Sequence, residues 1–315
     1  MSDRPLLAWA SDHHTFPLPG GHPFPLEKYT LVREHLLEAG VLEPHWVSRS
    51  DPAPEDWLHA AHDADYVTRT LAGEWSDAEV RRLGLPWSQD LVTRARAALY
   101  GTVMAARAAL VHGVAGNLAG GTHHAFPGRG EAYCLFNDAA VAIALLRREG
   151  RAARPFVLDL DVHQGNGTAA CFAGDASVFT FSMHARHNYP LHKETSTLDV
   201  ELADGATDDE VLAAMDAHVP AALDRHAPDL VLYQAGVDAL HTDRLGRLCM
   251  THAGLAERDR RVFEWLETRS LPVCVMLGGG YGRPIETTVE AYANVWRAAR
   301  AARERRPAVR PGPNA

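Results

Sequence analysis

Eighteen histidines in 315 residues raise the question of which are placed for chemistry, because histidine is both a common metal ligand and a ready proton carrier. The first informative segment is Asp159-Leu160-Asp161-Val162-His163. Side chains two residues apart in an extended chain share a face, so Asp159, Asp161 and His163 project together. Two carboxylates side by side in an interior are costly unless a cation lies between them. The same acids also read as caps of the helix expected to follow. Asp238 follows a later apolar run, Val231 to Val237, in the same way. Alone it reads equally as a helix cap or turn acid. Together, two carboxylates and one imidazole leave a fourth coordination position open, the pattern of a catalytic zinc site.

Two further segments add catalytic groups. In Gly120-Gly121-Thr122-His123-His124, a glycine pair lets the backbone bend so that adjacent imidazoles reach one cavity. One would accept a water proton and the other would donate to a leaving amine. A His-His pair without such company, as at His13-His14, reads as incidental. In Gly278-Gly279-Gly280-Tyr281, the glycines allow close backbone approach to a ligand. Tyr281 is then placed to donate a hydrogen bond to an oxyanion. A phosphate-binding loop competes, but the lysine and hydroxyl residue that should follow its glycines are missing.

These groups need a scaffold, and the sequence supplies one. Continuous apolar runs at 154–161, 177–183, 229–235 and 272–277 read as strands covered on both faces. Alanine-, leucine- and arginine-rich stretches at 91–112, 137–150, 207–226, 252–269 and 284–304 read as helices. Such alternation predicts an α/β fold with a central, mostly parallel sheet and helices on both faces. Functional residues of such sheets gather beyond the strands' carboxyl ends. No repeat or linker divides the chain, so residues 1–305 form one catalytic domain. The Pro- and Arg-rich end is expected to fray from Arg303, leaving 306–315 as a flexible tail.

Composition narrows the classes. The formal charge is −9, from 31 basic and 40 acidic residues, and no basic patch signals nucleic-acid binding. Such acidity would suit a cationic partner. Cys134, Cys171, Cys249 and Cys274 lack CxxC spacing, which fits free buried thiols better than a thiolate metal site or a disulfide framework. No apolar run suits a signal peptide or a membrane span. A cytoplasmic protein without membrane or nucleic-acid partners is expected.

The four segments, in this order and spacing, resemble the histone deacetylase family of the arginase/deacetylase superfamily over nearly the whole chain. Within it, Asp161 to Gly167, Arg186 to Pro190, Asp243 to Gly246 and His22-Pro23-Phe24 look most like class IV deacetylases and their bacterial relatives. The resemblance implies that Asp161, His163 and Asp238 bind zinc, with Fe(II), Co(II) or Mn(II) as possible substitutes for this rather hard ligand set. It makes His123 and His124 the base and acid pair, Tyr281 the oxyanion donor, and Asp159 the partner of His123. Asn166 stands where some classes carry a second Asp, so His124 should be less biased toward imidazolium. Asp159, Asp161, Ser182 and the carbonyls of His163 and Met183 resemble an inner potassium site. Tyr133, Tyr189, Leu245 and Gly279 take positions of the substrate tunnel. The implied reaction is hydrolysis of an acyl-lysine amide, acetyl or longer, on a protein, peptide or small amine, with zinc polarising the carbonyl.

Three rivals are weaker. Arginase-type ureohydrolases need ligands for a second metal, but positions 165, 236 and 240 are Gly, Gly and Leu. A non-catalytic binding module should have lost a ligand or the tyrosine. Acetylpolyamine deacetylases carry a gatekeeping acid where counting from Asp238 places Leu245. Replacing Tyr281 by Phe is expected to leave metal content intact and to lower turnover by ~10²–10³, the cost of removing an oxyanion donor. Near wild-type turnover in that variant would remove Tyr281 from the reaction.

Overall fold

The apolar runs pair edge to edge in one sheet. In the structure, a computed structural model describing residues 4–306, eight strands are present: β1 (Leu7–Ala10), β2 (Val47–Arg49), β3 (Val114–Asn117), β4 (Pro155–Asp159), β5 (Phe179–Ala185), β6 (Leu198–Leu202), β7 (Leu230–Gln234) and β8 (Val273–Met276). Their order is β2-β1-β3-β8-β7-β4-β5-β6, and every neighbouring pair is parallel. The helices are α1 (Lys28–Glu38), α2 (Glu55–Leu58), α3 (Ala64–Ala72), α4 (Asp77–Leu83), α5 (Gln89–His112), α6 (Asp138–Arg148), α7 (Asn166–Cys171), α8 (Asp208–His226), α9 (His252–Thr268) and α10 (Ile285–Arg305).

Strand periodicity explains the layers. On β4, Phe156 and Leu158 enter one apolar cluster and Val157 the other. On β8, Val273 and Val275 face the first cluster, while Cys274 and Met276 face the second. The first cluster is roofed by α1, α8, α9 and α10, and the second by α3, α5 and α6. Alternate residues therefore find an apolar layer whichever way they point, which is why these strands read as unbroken apolar runs. Each fully buried Val, Leu, Ile or Phe contributes roughly 1.5–3 kcal/mol.

The topology places the four chemical segments together. His123-His124 follows β3, the glycine–tyrosine loop follows β8, Asp238 follows β7, and Asp161–His163 follows β4. Those strands are four consecutive neighbours in the middle of the sheet. Parallel pairing puts all their carboxyl ends on one side, so residues far apart in sequence meet there.

The chain end differs from expectation. Helix α10 continues to Arg305, Arg303 is buried, and its Nε donates to the Pro5 carbonyl at 3.2 Å. Arg306 donates to the carbonyls of Gly113 at 3.0 Å and Leu271 at 2.6 Å. The arginines pack their stems and satisfy carbonyls, so the chain is held through Arg306. The rest of the expected tail, 307–315, lies outside the described residues. All four cysteines are free, but only Cys134 and Cys274 are buried; Cys171 is half-buried and Cys249 exposed. Among the described residues, no helix is long and apolar enough to cross a membrane.

One buried ion pair ties a covering helix to the strand ends. Arg258 of α9 donates to the carbonyls of Gly236 at 2.6 Å and Leu160 at 3.3 Å, and its guanidinium meets Asp259 at 2.9 Å. Leu160 immediately precedes Asp161, and Gly236 lies two residues before Asp238. Arg258→Met would strand the Asp259 carboxylate in the core, so a loss of about 3–5 kcal/mol is expected in urea unfolding. A loss under about 1 kcal/mol, within the ordinary range for point mutants, would show that this pair does not support the strand ends.

Candidate active site

The sequence places Asp159, Asp161 and His163 along one extended face, but β4 ends at Asp159 and the chain then bends. Local hydrogen bonds bring the groups together instead. Asp159 accepts from the Asp161 amide at 3.1 Å, and Asp161 accepts from the His163 amide at 3.0 Å. His163 Nδ1 lies 3.0 Å from both Asp161 Oδ1 and Asp238 Oδ2. Further amides fix the carboxylates: Gly279 N–H donates to Asp161 Oδ2 at 2.7 Å, and Val162 N–H to Asp238 Oδ1 at 2.9 Å. Neither acid caps a helix. The N-cap of α7 is Gly165, without a side-chain cap, and the N-cap of α9 is Thr251.

One ligand atom from each of Asp161, His163 and Asp238 lies within 4.8 Å of the other two, and all three residues are buried. Burial and the neighbouring Asp161 charge push the Asp238 carboxyl up. Burial alone would pull His163 down, but its two carboxylates outweigh that and raise it to about 10. Without another cation, the imidazolium proton is what balances the pair. A divalent ion suits the same place, and its binding would expel that proton. Donor types, spacing and charge thus fit a metal.

The His-His segment is held equally firmly. Gly120 and Gly121 adopt φ of 79° and 73°, which turns the chain beneath the cavity. Asp138, at the start of α6, accepts from the amides of Gly121 at 3.0 Å and Thr122 at 2.9 Å. Gln234 Nε2 donates to the Gly121 carbonyl at 3.0 Å. The two rings lie 4.0 Å apart, centroid to centroid, yet their partners differ. His123 Nδ1 meets Asp159 Oδ2 at 2.7 Å, whereas His124 Nδ1 donates to Asn166 Oδ1 at 2.6 Å. Burial lowers both rings. For His123 the charges of Asp159 and Asp161 win and raise it to about 9; His124, facing His123 and His163, falls well below 6.5. One ring therefore holds a proton and the other a free lone pair.

Three amides of the glycine–tyrosine loop are committed to side chains of the protein itself. Gly279 N–H serves Asp161, Tyr281 N–H serves Asp243 at 2.5 Å, and Gly282 N–H serves Thr288 at 2.9 Å. A Cβ on Gly279 would fall 1.7 Å from Asp238 Oδ2, so the loop can lie this close to the acids only with glycine there. Burial keeps the Tyr281 phenol protonated, far above its ordinary range.

One cavity of about 540 Å³ is lined by His123, His124, Asp161, His163, Gly279 and Tyr281 among these groups. The expected tunnel residues Tyr133, Tyr189 and Leu245 line it too. Tyr133 has φ of 67°, a strained value for a bulky residue, costing roughly 1–3 kcal/mol. Its amide donates to the Leu83 carbonyl at 2.6 Å, at the end of α4. Phe24 packs on Tyr133 at 5.3 Å between ring centroids. Ser182 and Met183 sit on β5, where Ser182 pairs in register with Asp159. His13 and His14 lie outside the cavity lining.

Two residues with functional contacts carried no motif. Lys28, buried at the start of α1, donates to the carbonyls of Gly278 at 2.9 Å and Gly280 at 3.5 Å. Its ammonium lies 5.2 Å from the Tyr281 ring centroid, and Tyr292 donates to the Gly279 carbonyl at 2.6 Å. The loop's carbonyls are thus tied down from α1 and α10. Glu131 is 8% exposed. It accepts from Asn166 Nδ2 at 3.0 Å, Tyr189 OH at 2.5 Å and Arg129 Nε at 3.1 Å. Tyr189 in turn meets the His124 ring edge to face at 5.1 Å. Local sequence gave no sign of Glu131, because Asn166 and Tyr189 lie 35 and 58 residues further along the chain.

A central parallel sheet carrying a buried acid–histidine metal group, a histidine pair and a tyrosine at its carboxyl edge defines a hydrolase of the arginase/deacetylase superfamily. The family model for the histone deacetylase domain matches residues 22–299, and the chain belongs to that family. It is 44% identical to an uncharacterized protein of Picosynechococcus over 90% of this chain and 95% of that one. It is 30% identical to histone deacetylase 2 of Arabidopsis thaliana, covering 82% and 70%. It is 29% identical to the acetoin utilization protein AcuC of Staphylococcus aureus, covering 82% and 72%. An HDAC homologue from Aquifex aeolicus shares the fold at a TM-score of 0.81, with 22% identity over 94% and 84% of the two chains.

Glu131→Ala removes the group that holds both Asn166 and Tyr189 against His124. Deacetylase kcat/KM is expected to fall roughly tenfold to a hundredfold, as for other residues that orient catalytic groups, with metal content unchanged. A fall under about twofold, against that expectation, would show that Asn166 and Tyr189 hold their places without it.

Proposed function

We propose that this chain is a zinc-dependent deacylase that hydrolyses the amide of an acyl-lysine, related most closely to class IV enzymes. The observation that carries the reading is the convergence of two adjacent histidines with unlike partners, Tyr281 and a metal-fitting triad at the base of one cavity. Asp161, His163 and Asp238 would hold a divalent ion, zinc in this reading, which would supply Lewis acidity at the acyl carbonyl. His124, neutral and with Nδ1–H engaged by Asn166, takes a proton from the attacking water through Nε2. The new C–O bond leaves negative charge on the former carbonyl oxygen, and the Tyr281 hydroxyl donates to it. As the C–N bond breaks, the His123 imidazolium gives its proton to the departing amine. The products are a carboxylic acid, which loses its proton to solvent, and a free amine, and the proton that His124 took from water passes to His123 to restore the pair.

Asn166 in place of a carboxylate supports the class IV reading, since it leaves His124 uncharged. The cavity is of a size that holds drug-like ligands, roughly 300–1,000 Å³; we read this as room for acyl chains longer than acetyl. Asp159, Asp161, Ser182 and the carbonyls of His163 and Met183 are our proposed potassium site, and the free thiols support a cytoplasmic setting. Leu245, with no acid beside it in the cavity lining, speaks against acetylpolyamines.

The test is an assay of metal-quantified protein on lysine peptides bearing acetyl, octanoyl and myristoyl groups, alongside N-acetylated polyamines. Chelator-sensitive release from acyl-lysine is expected. The profile of kcat/KM should be bell-shaped: activity holds through pH 6.5 and falls only well below it, as His124 gains a proton, and falls above about pH 9 as His123 loses one. Activity confined to polyamines, or unaffected by chelation, would overturn the proposal.

A further inference from the structure

The cavity's mouth differs in charge from the molecule as a whole. The chain carries −9, yet Arg81, Arg82 and Arg247 line the opening, and the carboxylate among the lining residues is Asp161 on the floor. Arg247 shares Asp204, at 3.1 Å, with His187 at 3.3 Å. Arg81 and Arg82 are exposed in the last turn of α4 and form no ion pair among the described residues. They complement the helix dipole, worth about 0.3–1 kcal/mol, but that role does not require them to face the cavity.

Apolar groups stand beside these cations. The large hydrophobic residues left exposed in the described chain are Val111, Tyr189, Leu191 and Leu245. The last three line this mouth, and Leu191 is 87% exposed. Exposed apolar side chains gathered with tyrosine and arginine are the composition of a protein-binding surface.

We infer that the mouth is a docking surface for a polypeptide segment whose acyl-lysine is flanked by acidic and apolar residues. This rests on the deacylase reading of the floor, and it reverses the expectation from net charge that a cationic partner would bind. The contacts come from three separate segments around the opening: the end of α4, the loop at 187–191 and the loop at 245–247. A flanking peptide chain on both sides of the lysine spans them, whereas a single small carboxylate meets one. An opening edged by Arg81 and Arg82 also draws an acidic chain in and repels basic tails and polyamines.

The experiment measures binding by fluorescence anisotropy to the intact, metal-loaded protein. Acetyl-lysine peptides are compared whose flanks are Asp/Glu with Leu, Ser with Gly, or Lys with Arg. The acidic–apolar peptide should bind about tenfold or more tighter than the basic one at low salt, the preference shrinking as salt rises. The double variant Arg81→Gln/Arg82→Gln should cut that preference by about threefold or more, and Leu191→Ser should weaken the acidic–apolar peptide relative to the Ser/Gly peptide. Equal or tighter binding of the basic peptide, or a preference indifferent to salt and to the arginines, would overturn the inference. So would an oligonucleotide that displaces the acidic peptide at lower concentration, since the arginines would then belong to a phosphate backbone. Cleavage of a capped acetyl-lysine amide without flanks is measured in parallel. No cleavage with an intact binding preference rejects the deacylase reading alone; cleavage without a preference rejects the docking surface alone.

Discussion

The constraint that organises this molecule is the burial of Asp161 and Asp238 around one imidazole. Two carboxylates that share a dry site repel each other and lose their hydration, so the fold must supply compensation from several directions. It does so with backbone amides from Val162, His163 and Gly279, with the His163 ring, and with a place for a cation. Val162 and His163 lie in the bend after β4 and Gly279 in the loop after β8, both strands of the central four. The sheet order is what lets those amides converge.

Around that centre, the protein separates two chemically identical rings. His123 and His124 are adjacent in sequence and nearly in contact, yet a carboxylate holds one and an amide the other. Neighbouring imidazoles cannot easily both be charged, and giving them unlike partners fixes which carries the proton. Lys28, Tyr292 and Arg258 serve the same end at one remove. They satisfy carbonyls of the loops that carry Tyr281, Asp161 and Asp238, so that those loops do not drift.

Much of this was legible in the sequence, for a physical reason. Strands β4, β5, β7 and β8 are buried on both faces and therefore apolar without interruption, and the Asp, His, Gly and Tyr residues sit immediately after strands. Strand β3, Val-Ala-Gly-Asn, is short and carries residues that strands usually avoid, and β6, Leu-Asp-Val-Glu-Leu, is a half-exposed edge. Neither presents a continuous apolar run. Glu131, Lys28 and Arg258 were silent because their roles exist only through tertiary contacts: each serves loops distant in sequence, and nothing in its own neighbourhood marks it. The cationic mouth was hidden by the net charge, which sums over the whole surface and says nothing of one opening. The buried arginines at the chain end misled in the opposite sense, since a polar composition there concealed stems that pack and guanidiniums that bind carbonyls.

The most direct test of the account is anomalous X-ray diffraction from crystals of the protein purified with its metal. The account predicts one divalent ion per chain, with its anomalous peak among Asp161, His163 and Asp238, and loss of that peak in Asp238→Ala. A metal found elsewhere with this site empty, or a peak that survives the substitution undiminished, would contradict it.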